Sequence, residues 1–185
     1  MKEYQQFSIE KYIQNEKGLN GFSANMFSLV FAGIIFAVLG FIYYRIWGYF
    51  IQQPSLNNIN VLFLLVAAGF LFVHEIIHAI VWSKHTDVKF DFIFKSLFRL
   101  CYCENAIKMK KYIIGLIIPS IILGIIPAVA GMVLGNKAIF LFGLIMIAAG
   151  GDDFFAVYVL RKANKESWIK DMKSRIGFIV YEPIP

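Results

Sequence analysis

An apolar run from Val61 to Trp82 constrains this chain more than any other feature, because it holds three ionisable side chains within one helical turn. A run of about 20 residues is long enough to cross a bilayer as a helix. His74, Glu75 and His78 lie inside it. Because a carboxylate at the centre of a membrane helix costs about 2.5–3.5 kcal/mol on insertion scales, these residues indicate a functional site.

The three residues follow the pattern H-E-x-x-H. On a helix the two histidines stand at positions i and i+4, so both imidazoles face one point and can bind the same metal ion. This spacing is typical of zinc metallopeptidases, in which the glutamate is the general base for a metal-activated water. We therefore predict that His74 and His78 bind Zn2+ and that Glu75 is catalytic. The alternative is a buried histidine pair with Glu75 as its local charge partner.

The composition and the other apolar runs predict a membrane protein. The chain is 59% hydrophobic, whereas ordinary soluble domains are about 45–50% apolar. The expected fold is an all-α bundle of four transmembrane helices, in which Pro119 and Pro127 kink or break the third. A cytoplasmic segment is expected between helices 2 and 3. The predicted spans are Met26–Tyr44, Val61–Trp82, Tyr112–Leu134 and Ala138–Leu160, within a membrane domain of residues 26–160 between an N-terminal segment (1–25) and a basic tail (161–185).

The positive charges predict how the chain is oriented. Of the 18 Lys and Arg residues, all but Arg45 and Lys137 lie before the first span, between the second and third, or after the fourth. The positive-inside rule therefore predicts a multi-pass cell-membrane protein with both termini in the cytoplasm. The net charge of +6 indicates contact with membrane lipids rather than nucleic acid, since no basic and aromatic stripe is present. Cys101 and Cys103 are expected to be reduced loop residues.

A third metal ligand is expected from another span, since catalytic zinc sites take three protein ligands and keep one position open. Outside the motif, the only acidic residues within the spans are Asp152 and Asp153. Asp152 lies nine residues before Arg161, and His78 lies six before Lys84. At a rise of about 1.5 Å per residue, the aspartates and the histidines are predicted to share one depth in the membrane.

Only one of the two aspartates can face the metal well, because adjacent helical residues point about 100° apart. The spacing alone leaves the choice between Asp152 and Asp153 open. The other aspartate could orient a histidine or meet water. Gly150 and Gly151 are expected to let the fourth helix approach the second closely.

Several segments resemble the putative zincin peptidase family of small bacterial membrane proteins. The likeness covers the motif in Phe72–Ala79, Pro119 in the following span, Gly150-Gly151-Asp152 in the last span, and the tail from Lys170 to Pro183. It implies a distant similarity to site-2-type intramembrane metalloproteases, although no Asn-x-x-Pro-Asp-Gly element precedes the aspartates. In the family's pattern the ligand aspartate directly follows a glycine, which implies that Asp152 is the third zinc ligand.

The expected function is that of a zinc-dependent, membrane-embedded peptidase acting on a membrane-anchored or transmembrane protein. The alternatives are a non-catalytic metal-binding membrane protein or small transporter, and a scaffold that binds partner helices. One further segment has two interpretations, as an amphipathic stretch against the lipid headgroups or as an edge strand that aligns an extended substrate. Its alternating aromatic residues are Phe90, Phe92, Phe94 and Phe98.

Overall fold

The structure, a computed structural model, describes residues 7–18, 21–48, 61–90, 101–172 and 177–184. Its helices are α1 (Gly21–Trp47), α2 (Val61–Ser83), α3 (Met109–Pro119), α4 (Ile126–Leu134), α5 (Lys137–Ala149) and α6 (Gly151–Leu160). A π-helix, Ser120–Ile125, joins α3 to α4, and a 3-10 turn, Ile9–Lys11, precedes the first strand. The strands are β1 (Tyr12–Gly18), β2 (Val88–Phe90), β3 (Cys101–Cys103), β4 (Ile107–Lys108), β5 (Trp168–Asp171) and β6 (Gly177–Pro183).

Three helical segments of the described chain are long and apolar enough to cross a membrane: Phe22–Trp47, Phe63–Ser83 and Met109–Leu134. A fourth span results if α5 and α6 are counted together, since the two are bent by 43° where they meet. A helix pairs its own backbone N–H and C=O groups, which is what a hydrocarbon environment requires. The predicted helical segments are therefore confirmed, with the fourth formed by a bent pair.

The prolines of the third span disturb it only locally. Pro119 ends α3, and the wider turns of the π-helix follow it. A proline inside a helix lacks an N–H and pushes against the carbonyl four residues earlier, so a local change of helix type relieves the crowding. Pro127 stands in the first turn of α4. The run from Met109 to Leu134 still has the length of one membrane span.

The two glycines at the junction of α5 and α6 allow close packing, but against other partners than expected. A Cβ atom on Gly150 would overlap the hydroxyl of Ser120 in the π-helix. A Cβ atom on Gly151 would lie 2.7 Å from the Ser28 side chain of α1. The glycines therefore bring the last span against the first and third spans, whereas the sequence predicted an approach to the second.

A four-stranded antiparallel sheet shows that the all-α expectation is wrong. Its strand order is β1-β6-β5-β4, and the two ends of the chain pair with each other, Tyr12 opposite Pro183 and Gly18 opposite Gly177. The sequence predicted a basic tail over residues 161–185. Its strands nevertheless bury Ile169 and Val180 completely, so apolar burial offsets the cost of ordering this segment.

A separate two-stranded sheet lies between the second and third spans. Strands β2 and β3 pair antiparallel, with Val88 opposite Cys103 and Phe90 opposite Cys101. Both cysteines are buried in β3, whereas the sequence predicted that they lie in a loop. Phe92, Phe94 and Phe98 lie outside the described residues, so the role expected for that segment stays a prediction.

One hydrophobic core joins the four-stranded sheet to the helices. Buried side chains of β5 and β6 pack with Trp82 at the end of α2, Tyr112 of α3 and Leu160 at the end of α6. The sheet therefore supports one end of three helices. His78 lies one turn from Trp82, so this core reaches the predicted metal site.

Candidate metal centre

His74 and His78 stand one turn apart on the same face of α2, as their spacing predicted. Their ring centroids are 4.8 Å apart, and the ring planes are inclined at 72°. Both residues are buried, with 4% and 3% of their surface exposed. Two imidazoles that are withdrawn from water and face one point form half of a typical zinc ligand set.

The third group of the cluster is the carboxylate of Asp153 in the first turn of α6. Its Oδ2 atom lies 3.0 Å from Nε2 of His74 and 3.4 Å from Nε2 of His78. The three potential ligand atoms lie within 4.8 Å of one another, and no other such group of His, Cys, Asp or Glu occurs within the described residues. One of the two aspartates of the last predicted span therefore lies beside the histidines of the second.

The structure brings Asp153 to the histidines and does not bring Asp152, which the family pattern implied. Oδ1 of Asp152 instead accepts a hydrogen bond of 2.6 Å from the Ser28 hydroxyl of α1. The physical reason is the helical rotation of about 100° between adjacent residues. The rotation turns Asp152 toward Ser28 of α1 and Asp153 toward the two histidines of α2.

His78 is fixed by contacts on its second nitrogen and on its ring face. Nδ1 lies 2.8 Å from the carbonyl oxygen of Gly115, so the proton belongs on Nδ1 and the Nε2 lone pair is left for a metal. The ring stacks on Trp82 at 5.0 Å with an interplanar angle of 16°. Only a glycine fits at position 115, because a Cβ atom there would overlap the Trp82 indole.

His74 has one nitrogen in the cluster and one outside it. Its Nε2 atom faces Asp153, whereas Nδ1 is buried without a hydrogen-bond partner among the described residues. Among the described residues, Asp153 is therefore the only hydrogen-bond partner of the His74 ring. A metal ion bound to Nε2 of His74 would therefore also lie beside the Asp153 carboxylate.

Glu75 lies beside the cluster without belonging to it. The residue is half-buried, and its carboxylate is close enough to His78, Asp153 and His74 to interact with each electrostatically. A backbone hydrogen bond from Cys101 of β3 reaches the same carboxylate. The structure thus places an oriented carboxylate next to a group of three potential metal ligands, as the motif predicts.

The donor set fits a zinc ion. Zinc prefers imidazole nitrogen and carboxylate oxygen in a tetrahedral arrangement with bonds of about 2.0–2.2 Å, which places neighbouring ligand atoms roughly 3.3 Å apart. The observed separations of 3.0 and 3.4 Å between Asp153 and the two histidines lie close to that value. Three protein ligands leave a fourth position open, as in catalytic sites.

Sequence reasoning missed two residues that shape the site. Trp82 continues the i, i+4 series of His74 and His78, so the same spacing rule could have identified it. Gly115 lies four residues before Pro119, and a helical proline leaves the carbonyl at that position without its usual N–H partner. No comparable signal pointed to Ser28.

Comparison with known proteins agrees with this geometry. A family model described as "Putative zincin peptidase" matches residues 67–168 of the chain. The match includes both histidines, Glu75 and the two aspartates. No curated protein and no solved structure matches the chain.

Proposed function

The chain belongs to the putative zincin peptidase family, and from this we propose that it is a zinc-dependent peptidase that works within the membrane. One observation carries the proposal: His74, His78 and Asp153 meet on one point beside Glu75. A buried histidine pair with a charge partner would not need a carboxylate from a second helix. A catalytic zinc site does need such a third ligand.

The residues have distinct roles in this proposal. His74, His78 and Asp153 would hold the zinc ion, which when bound supplies Lewis-acid activation of a water molecule. Glu75 takes a proton from the attacking water at its carboxylate and returns it to the nitrogen of the leaving amine. The hydrogen bond from Cys101 orients that carboxylate, and Gly115 keeps the His78 proton on Nδ1.

The proposed substrate is a peptide bond in a membrane-associated protein. The histidines lie in a helix that is long and apolar enough to cross a bilayer, and the positive residues predict that its nearer end, at Lys84, is cytoplasmic. Asp153 is 19% exposed, so the site is not closed on all sides. A segment held at the cytoplasmic side of the membrane would reach the cluster over the shortest distance.

Metal analysis combined with a variant of the base tests this function. Purified wild-type protein should carry about one zinc per chain, and His74→Ala should carry none, because a ligand is lost. Glu75→Gln should keep its zinc and lose hydrolysis of a membrane-protein substrate by a factor of about 100 or more, since general-base catalysis contributes about 10²–10⁴-fold.

The same experiment separates the alternatives. A wild-type protein without zinc would exclude the metallopeptidase and favour a scaffold that binds partner helices. A zinc-loaded protein whose hydrolysis is unchanged in Glu75→Gln would point to a metal-binding protein without catalysis by this residue. Gly69→Ala is a matched control on the same helix, because a Cβ atom there would lie within 4 Å of no neighbouring element among the described residues.

A further inference from the structure

Asp171 is a buried carboxylate outside the metal cluster, at the end of β5. Only 3% of its surface is exposed. Oδ1 accepts a hydrogen bond of 2.6 Å from the Tyr112 hydroxyl, and Oδ2 accepts one of 2.8 Å from the backbone N–H of Cys103. Because an unpaired buried carboxylate is costly, these two donors hold it between α3 and β3.

The first donor connects Asp171 to the ligand His78. The ring of Tyr112 stacks on Trp82 at 5.2 Å and 9°, and Trp82 stacks in turn on His78 at 5.0 Å and 16°. Trp82 also donates its Nε1–H to the Tyr112 carbonyl at 3.3 Å. Three nearly parallel rings therefore run from the partner of Asp171 to the imidazole.

The second donor connects Asp171 to Glu75. Successive N–H groups of a strand point to opposite sides, so the N–H groups of Cys101 and Cys103 share one edge of β3. Cys103 donates to Asp171, and Cys101 donates to Glu75. Fixing the first of these N–H groups fixes the second, because only one residue separates them.

We propose that Asp171 is a positioning residue that sets the location of both halves of the site, His78 through Tyr112 and Trp82, and Glu75 through β3. The four-stranded sheet would then belong to the catalytic assembly, although Asp171 lies beyond the residues that the family model matches. The inference rests on the proposed function, because it takes His78 as a zinc ligand.

A double-mutant cycle on zinc affinity tests it. Tyr112→Phe removes the hydroxyl that donates to Asp171 and keeps the ring stack. Asp171→Asn replaces one of the two acceptor oxygens by an NH2 group. Zinc dissociation constants are measured by competition with a fluorescent chelator and normalised to the folded fraction. Each variant should bind zinc about tenfold more weakly, at the low end of what residues behind a ligand contribute. The double variant should bind no more weakly than either single one, because both remove the same link.

A second readout and a control distinguish positioning from general support. Zinc should change the tryptophan fluorescence of the wild type through the stack on Trp82, and this change should shrink in Tyr112→Phe. Tyr12→Phe is the matched control, since it removes a hydroxyl that accepts from Trp168 at 3.1 Å in the same sheet. Its zinc affinity should stay within about twofold of the wild type.

Two results would overturn the inference while the proposed function stands. In the first, wild type and both variants bind zinc equally once the folded fraction is taken into account. In the second, the losses in the two variants multiply in the double variant, which would show that the residues act separately. A wild-type protein that binds no zinc would instead overturn the proposed function and, with it, the positioning role of Asp171.

Discussion

Nδ1 of His78 lies 2.8 Å from the carbonyl oxygen of Gly115, and that oxygen is available because of Pro119. In a regular helix the N–H of residue 119 would bond the carbonyl of residue 115, but a proline has no N–H to donate. The next backbone N–H, that of Ser120, donates to the carbonyl oxygen of Ile117. A break in one helix therefore supplies the acceptor that orients a histidine on another.

Replacing Pro119 by alanine should weaken metal binding. The new N–H competes with His78 for the Gly115 carbonyl, so the ring loses its fixed orientation and its preference for a proton on Nδ1. We expect Pro119→Ala to lower zinc affinity by about tenfold, the low end for a residue behind a ligand. Chelator competition on the purified protein measures this.

The control for that change is the second proline of the same span. Pro127 stands in the first turn of α4, eight residues and so about two turns beyond Pro119 in the same span. Pro127→Ala should therefore leave zinc affinity within about twofold of the wild type. Equal losses in the two variants would mean that general disturbance of the span, rather than the Gly115 carbonyl, controls the site.

The sequence predicted those parts of the site that depend on residues close together in the chain. The histidine pair follows from one helical period, and the depth of the aspartates follows from counting residues to the nearest positive charge. The choice between Asp152 and Asp153 depends on how α6 is rotated about its own axis. Because the chain bends by 43° between α5 and α6, the residue positions of α5 do not predict that rotation. A family pattern based on a preceding glycine carries no information about this angle.

The sheet was missed for a different reason. Strands β4 and β5 have two and four residues, too few to establish an alternating pattern. The pairing of β1 with β6 joins residues more than 150 positions apart, which no local rule detects. Ile169 and Val180 lie in a segment, residues 161–185, that holds six lysine and arginine residues. This positive charge indicated a basic tail and concealed the buried apolar positions of the strands.

The two neighbouring aspartates should respond differently to the same substitution. Asp153→Asn removes the negative charge from the cluster, so zinc affinity should fall by more than about 100-fold, beyond the 10–100-fold range of residues that only support a ligand. Asp152→Asn keeps an amide oxygen that can accept from Ser28, so it should keep zinc affinity within about threefold. Isothermal titration with zinc compares the two variants directly.

The opposite ranking would return the third ligand to Asp152, as the family pattern implied. Ser28→Ala provides a check, because it removes the donor to Asp152 and leaves the cluster intact. A large loss of zinc affinity in Ser28→Ala would show that the Asp152 carboxylate takes part in metal binding.

The sheet should lose stability at alkaline pH through Tyr181. Burial, and secondarily the nearby carboxylate of Glu16, raises the pKa of the Tyr181 phenol above its ordinary value of 10.0. The stability contributed by a raised pKa is fully present below the unfolded pKa, about pH 10, and is lost as pH rises through the folded one. Tyr181→Phe should therefore flatten the decline in thermal unfolding temperature above about pH 10.

Glu16→Gln separates the two causes of that shift. Removing the carboxylate should lower the pKa of Tyr181 only in part, because burial is the larger cause. Ultraviolet absorbance of the ionised phenol, taken as a difference from Tyr181→Phe, follows the titration. A titration midpoint at the ordinary value in the wild type would contradict the burial of this side chain.

The contact between Gly150 and Ser120 predicts a pair of compensating substitutions. The backbone of Gly150 has φ −79°, which alanine adopts without strain, so any cost of Gly150→Ala comes from the overlap of its Cβ atom with Ser120 Oγ. Overpacking of this kind typically costs about 1–3 kcal/mol. The overlap should also shift α6, so that Asp153 moves away from His74 and zinc binding becomes weaker.

Ser120→Ala should restore both properties. The Ser120 hydroxyl is buried without a hydrogen-bond partner among the described residues, so its removal should cost little on its own. Without Oγ, the new Cβ atom at position 150 meets the Cβ atom of residue 120 at 3.4 Å, an ordinary contact. Thermal unfolding in detergent and zinc affinity should both return close to the wild-type values in Gly150→Ala/Ser120→Ala. Additive losses in the double variant would show that the last span is held in place by contacts other than this one.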